Sequence, residues 1–238
     1  KANRDRRELT ESDLEPHLEA MGRLGVRWVV LSGGEPLMHG NLWRLCAALR
    51  RLEVRISLLS TGLLLEDNAA DVVHWCDEVI VSLDGPRATH DAIRRVDGAW
   101  DRLAAGIRAL RAIDEAFPVS ARCVIQRLNY RELPAIIDSA LGLGLDSISF
   151  LAADTTSTAF NRPEGWTGER VAEVGLDPTE VEEFAETGED HRGRLELVAQ
   201  LDQINAYLLL LAPLLPESDR AAWEADLRRL VTVLLERF

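Results

Sequence analysis

The sequence predicts an α/β fold with a parallel sheet in about the first two-thirds of the chain, followed by a helical hairpin. Three observations indicate this. Short β-rich runs alternate with stretches of helical periodicity, glycine and polar residues follow the runs, and leucines repeat along the C-terminal part. Strands that alternate with helices form right-handed βαβ units, and such units build a parallel sheet.

The first element is predicted to be a helix that begins near Ser12. Ser12 and Glu15 have the spacing of a capping box, and helically spaced apolar residues follow: Leu14, Leu18, Met21 and Leu24. Five strands are then predicted over residues 26–31, 54–59, 78–83, 118–126 and 147–152. The helices between them are predicted to begin after Asn41 and to cover residues 69–75, 100–116 and 133–143.

The remaining chain differs in pattern, which predicts three segments. Residues 1–153 form the α/β domain, residues 154–192 form a polar connection rich in loop-forming residues, and residues 193–238 form the hairpin. Apolar residues in the hairpin alternate steps of four and three, the spacing of a coiled-coil-like seam. We expect this seam to be packed core and a candidate surface for a homodimer.

Composition limits the function classes. The net charge of −13 disfavours a nucleic-acid groove, because phosphates repel an acidic surface. Three widely spaced cysteines argue against a disulfide scaffold and favour a reducing, cytoplasmic location. None lies in a C-x-x-C arrangement, so the sequence shows no metal site. The charged N-terminus does not resemble a signal peptide, and the longest apolar run, residues 206–215, is too short to span a membrane.

Glycines and polar residues follow three of the predicted strands. They are Gly33-Gly34-Glu35, Ser60-Thr61-Gly62, and Ser82 with Asp84-Gly85. The carboxyl ends of parallel strands meet at one edge of a sheet, where ligands bind. Glycines let the backbone approach a ligand closely, and a carboxylate can hold a cationic amine. The pattern therefore predicts a ligand cradle at this edge.

Five stretches, taken in order, resemble the radical S-adenosylmethionine (radical SAM) enzymes, especially the branch that modifies peptides and natural products. They read LSGGEPL at 31–37, LSTG at 59–62, VSLDG at 81–85, HDAIR at 90–94, and the strand exit at 122–129. The resemblance covers roughly residues 8–153. It implies a partial (β/α)6 TIM-like barrel, with the first strand and the cluster loop upstream of Lys1.

The resemblance also implies site residues for S-adenosylmethionine (SAM). Gly33, Gly34 and Glu35 match the turn that binds the methionine amine, and Ser82 matches a serine near the ribose or carboxylate. Arg122 is the candidate for the methionine carboxylate, since a guanidinium suits a carboxylate. Thr61 is assigned to the same site, and the strand that contains Phe150 is expected to lie against adenine.

The reaction that the resemblance implies needs a [4Fe–4S] cluster held by three cysteines in C-x-x-x-C-x-x-C spacing. That motif is not in this sequence, so we expect the cluster ligands upstream of Lys1. Cleavage of SAM would give a 5′-deoxyadenosyl radical that abstracts hydrogen from a peptide or small natural product. A flavodoxin- or ferredoxin-type protein would donate the electron. Four residues after the last strand are candidate substrate contacts: Asp154, Asn161, Arg162 and Trp166.

Other interpretations stay open at this point. Glu35 is also a plausible helix N-terminal acid, Arg122 a salt-bridge residue, and Asp84-Gly85 a turn former. His90, Asp91 and Arg94 are as well explained by ordering of their loop. A cluster-free relative that acts as a binding or scaffolding protein is the alternative function. A βα-barrel metabolic enzyme is disfavoured, because residues 150–158 lack phosphate-binding glycines.

Overall fold

The structure, a computed structural model, describes residues 8–155 and 166–190. Five parallel strands form one sheet in the order β1-β2-β3-β4-β5, so each strand pairs with the next one in the chain. The strands are β1 (Trp28–Leu31), β2 (Arg55–Ser60), β3 (Glu78–Ser82), β4 (Val119–Ile125) and β5 (Ser147–Ala152). The predicted α/β fold with five parallel strands is confirmed.

Helices connect the strands. They are α1 (Glu11–Arg23), α2 (Leu42–Arg50), α3 (Leu65–Trp75), α4 (Arg87–Arg94), α5 (Ala99–Ile113) and α6 (Leu133–Gly142), with short 3-10 turns at Pro36–Met38 and Tyr130–Glu132. The predicted capping pair of α1 was wrong: the helix follows Thr10, whose N–H donates to the Asp13 carboxylate at 2.8 Å. Helix α4 was not predicted.

One face of the sheet carries the main core. Sequential strand order with right-handed crossovers places the connecting helices on one side, as in one part of a TIM-like barrel. Alternate strand residues such as Val79, Val81, Val119 and Ala121 pack there and are fully or almost fully buried. The residues between them, including Ser82 and Arg122, face the opposite side. We call that side the inner face.

Two further helices lie within the predicted polar connection, so part of that connection is helical. They are α7 (Gly168–Val174) and α8 (Pro178–Asp190). The N–H of Arg127, just after β4, donates to the carbonyl of Val174 at 2.9 Å, and its guanidinium pairs with Glu180 at 2.8 Å. The predicted hairpin lies outside the described residues. Within the described part of the chain, no helix is long and apolar enough to cross a membrane.

Candidate functional site

The strand register brings four residues into one row at the carboxyl edge of the sheet. Ser82 of β3 is paired with Arg122 of β4, and Arg122 is paired with Ser149 of β5. Ser60 is paired with Val81, so Thr61 continues the row beside Ser82. We call Thr61, Ser82, Arg122 and Ser149 the rim row. The sequence analysis placed Ser149 only within the strand expected at adenine, and its position beside Arg122 follows from the β4–β5 register.

Arg122 is the charged member of the rim row, and its side chain is half-buried on the inner face. Its Nε is fully buried and finds no hydrogen-bond partner in the described part of the chain. Burial lowers the pKa of Arg122, because a low-dielectric environment disfavours its charge. A buried N–H without an acceptor is costly. The site is therefore suited to an anionic ligand group, and a carboxylate matches the guanidinium fork.

Glu35 joins the glycine turn to the end of β2. One carboxylate oxygen accepts from Ser60 Oγ at 2.9 Å and from the N–H of Leu37 at 3.2 Å. The other accepts from the N–H of Thr61 at 2.7 Å and from the Thr61 hydroxyl. A carboxylate has about four acceptor positions, so these contacts occupy all of them. Gly33 and Gly34, by contrast, have open space where a side chain would stand.

This geometry predicts a large effect for Glu35→Gln. An amide NH₂ would face either the Thr61 N–H or the Leu37 N–H, so a donor would meet a donor. We expect a stability loss of about 1–3 kcal/mol, together with weaker ligand binding at the rim. Thermal unfolding checks the first effect and equilibrium dialysis with SAM the second. Glu8→Gln is the matched control, because the Glu8 carboxylate accepts the Gly40 N–H at 3.1 Å from an exposed position. Equal effects of the two substitutions would contradict the prediction.

The HDAIR stretch forms most of α4, and its side chains contact neighbouring segments of the chain. The Asp91 carboxylate accepts from the N–H groups of Gly98 at 2.9 Å and Trp100 at 2.8 Å, at the start of α5. Hydrogen bonding to these N–H groups, the Trp100 bond above all, lowers the pKa of Asp91. Gly85 approaches α4 so closely that a Cβ there would lie 2.8 Å from Thr89 Cβ. The stretch therefore orders the chain between β3 and α5.

His90 is fully buried, and its Nδ1 accepts the N–H of Asp84 at 3.2 Å. The imidazole is therefore the neutral tautomer protonated at Nε2. Burial lowers the pKa of His90, although the Asp84 charge opposes this. Protonation at Nδ1 would also break the hydrogen bond from the Asp84 N–H, because Nδ1 would then be a donor facing another donor.

A pH dependence of stability follows from His90. Its pKa is lower in the folded than in the unfolded protein, so its contribution is constant above the unfolded value of about 6.5. Below that pH the unfolded state binds the proton first, and stability falls by up to about 1.4 kcal/mol per pH unit. Urea unfolding at pH 7.5, 6.5 and 5.5 measures the slope. His90→Phe cannot titrate and should flatten it, and an unchanged slope in this variant would contradict the assignment.

The structure separates Phe150 from the other predicted site residues. Phe150 packs against the second core cluster with Cys123 and Ile136, on the face opposite Arg122. Its neighbour Ser149 lies on the inner face and is 9% exposed. The role of Phe150 at adenine stays a prediction, which this placement does not support.

The candidate substrate contacts are only partly described. Asp154 follows β5 directly, and Trp166 precedes α7, where the Arg170 guanidinium lies 5.4 Å from its ring centroid. Asn161 and Arg162 lie outside the described residues. Within the described residues, no group of three His, Cys, Asp or Glu side chains could hold a metal ion, and all three cysteines are buried free thiols.

Comparison with known proteins gives consistent results. Residues 1–140 match the sequence profile of the Radical SAM superfamily. Pre-heme d1 synthase of Dinoroseobacter shibae is 34% identical over 141 residues, which are 58% of this chain and 34% of that protein. PqqA peptide cyclase of Gluconobacter oxydans is 31% identical over 130 residues, 53% of this chain and 36% of the relative.

The fold is similar to that of Streptococcus suis SuiB, whose crystal structure was solved bound to the precursor peptide SuiA. The TM-score is 0.60 at 17% identity, covering 80% of this chain and 41% of SuiB. The chain thus spans between a third and a half of the length of these proteins. Since the family profile matches more than half of the chain, this protein belongs to the radical SAM superfamily.

Proposed function

We propose that the protein binds SAM at the rim row and the adjacent glycine turn, and that it uses SAM to modify a peptide or small natural product. The observation that carries the proposal is the buried Arg122 Nε without a partner, in line with Ser82 and Ser149. The described residues fit the amino-acid end of SAM. Arg122 offers a cation for the carboxylate, and the open turn at Gly33 and Gly34 offers backbone groups for the amine.

When bound, SAM and a [4Fe–4S] cluster supply one-electron chemistry that removes a hydrogen atom from the substrate. The described residues have other tasks. Glu35 holds the glycine turn against β2, Arg122 and Ser82 orient the ligand, and the sheet shields one side of it from water. The electron donor of flavodoxin or ferredoxin type, the cytoplasmic location and the dimer through residues 193–238 stay predictions.

The substrate class is supported by similarity alone. The similarity to PqqA peptide cyclase supports a peptide, and Asp154 and Trp166 after β5 are the described residues that we propose to contact it. The similarity to pre-heme d1 synthase supports a tetrapyrrole as the second candidate.

Two measurements on the intact, anaerobically reconstituted protein test the proposal. Iron analysis should find about four irons per chain, and equilibrium dialysis should detect SAM binding. Protein without iron and without SAM affinity would favour the binding or scaffolding alternative. The amount of 5′-deoxyadenosine formed is then measured in the presence of a synthetic peptide library and, separately, in the presence of coproporphyrin III. Stimulation by the porphyrin alone would move the substrate from peptides to tetrapyrroles.

A further inference from the structure

Strands β3 and β4 separate just beyond the rim row. Their last register pair is Ser82 with Arg122, and the last backbone bond runs from the Leu83 N–H to the Arg122 carbonyl at 3.1 Å. Further along, side chains replace the missing backbone ladder. The Asp84 carboxylate accepts the N–H of Val124 at 3.3 Å.

A buried amide completes this replacement. Asn129 Nδ2 donates to the carbonyls of Asp84 at 2.8 Å and Val124 at 3.0 Å, and Asn129 Oδ1 accepts the Gln126 N–H at 2.8 Å. Asp84 is 1% exposed and Asn129 is fully buried. Backbone groups that the diverging strands would leave unpaired are therefore satisfied by two side chains.

Helix α4 holds Asp84 from the other side. Arg94 pairs with the second carboxylate oxygen at 2.5 Å, and His90 Nδ1 accepts the Asp84 N–H. Asp84 thus touches α4, β4 and the turn after β4 at the same time. We call Asp84, Arg94 and Asn129 the rim clamp.

The same chemistry recurs at the opposite edge of the sheet. Asp77 and Asp146 each precede a strand, accept an N–H of the neighbouring strand and pair with a helix arginine. Asp77 accepts the N–H of Ile56 at 2.6 Å and pairs with Arg50 at 3.0 Å. Asp146 accepts the N–H of Val119 at 2.7 Å and pairs with Arg111 at 2.9 Å. These two aspartates join strands at the edge opposite the rim row. Substituting them therefore serves as a control that separates a general loss of stability from a loss of ligand binding at the rim row.

We propose that the rim clamp is a positioning device for the SAM site, because it sets the separation of β3 and β4 where Ser82 and Arg122 must act together. The inference rests on the proposed function. Binding groups lose their effect steeply when they move by about 1 Å. The backbone ladder ends at this row, so the clamp alone connects the two strands beyond it in the described structure.

The test compares SAM affinity in three variants of the intact, reconstituted protein. In Asp84→Asn, an amide donor faces the Arg94 guanidinium while the side-chain shape is kept. We expect SAM affinity to fall by about 10- to 100-fold. Asp77→Asn and Asp146→Asn weaken pairs with a helix arginine at the other edge of the sheet and should change affinity by less than about twofold. Equal affinities in all three variants would overturn the inference.

Substitutions of Arg94 provide a second test, which can still be carried out if the Asp84→Asn variant folds poorly. Arg94→Lys keeps the charge and should retain affinity within about threefold, whereas Arg94→Gln should reproduce the loss. Equal SAM affinities of these two variants would overturn the inference that the rim clamp positions the SAM site. If the wild-type protein itself does not bind SAM, the proposed function fails and the inference fails with it. If the wild type binds and Asp84→Asn binds equally well, only the inference fails.

Discussion

Arg122→Leu should reduce SAM affinity by about 100-fold, because a bond to a charged group contributes about 1.5–3 kcal/mol and two parallel bonds contribute more. The same substitution should not lower stability. The Arg122 Nε is buried without a partner, and removing an uncompensated polar group offsets the loss of its packing. A large loss of binding without a loss of stability is typical of a ligand-binding residue. Equilibrium dialysis and thermal unfolding of the intact, reconstituted protein measure the two quantities.

Two further variants make this prediction specific. Arg122→Lys keeps the charge but loses the planar fork, so its affinity should lie between those of Arg122→Leu and the wild type. Arg108→Leu removes an exposed arginine from α5 and serves as the control for net charge. Unchanged affinity in Arg122→Leu, or an equal loss in Arg108→Leu, would remove Arg122 from the proposed site.

Gly106→Ala should destabilise the protein by about 1–3 kcal/mol through overpacking. Gly106 lies inside α5, where alanine would normally stabilise a helix by about 1 kcal/mol over glycine. Here a Cβ would lie 2.5 Å from Leu65 Cβ, and Leu65 is fully buried at the start of α3. Since the obstacle is the Cβ of a packed residue and not a flexible chain end, one of the helices must shift.

Gly142→Ala is the matched control for Gly106→Ala. Gly142 is the last residue of α6, and a Cβ there would meet nothing within 4 Å. We expect it to be neutral or stabilising by up to about 1 kcal/mol. Urea unfolding of both variants checks the opposite signs. A stabilised Gly106→Ala would show that the contact between α3 and α5 is looser than the structure indicates.

The elements that the sequence predicted well are those whose signals are local. All five strands lie within the predicted runs to within two residues, since apolar runs bounded by turn residues identify them. Helix α4 escaped prediction because its buried face consists of polar groups. His90 and Arg94 turn toward Asp84 and contact it, so this face of α4 shows no hydrophobic period.

The sequence predicted which segments form the site but not which side chains contact each other there. The glycine turn follows from its place after β1. Ser82 and Arg122 were assigned from the resemblance to radical SAM enzymes, and the structure puts them side by side. The partners of Glu35 could not be foreseen, because Ser60 and Thr61 lie 25 and 26 residues further along the chain. Phe150 and Ser149 differ by one position, and a shift of one residue moves a side chain to the opposite face of a strand.

The sequence by itself therefore determined where the strands lie along the chain, the parallel sheet and the edge at which the polar residues collect. These depend on short-range periodicity and on the handedness of βαβ units. Tertiary structure alone decided which face each strand residue occupies, that Glu35 is fully bonded within the rim, and that Asp84 and Asn129 join β3 to β4. Such contacts depend on strand register and on groups distant in the chain, and no local pattern of residues encodes the distance between them.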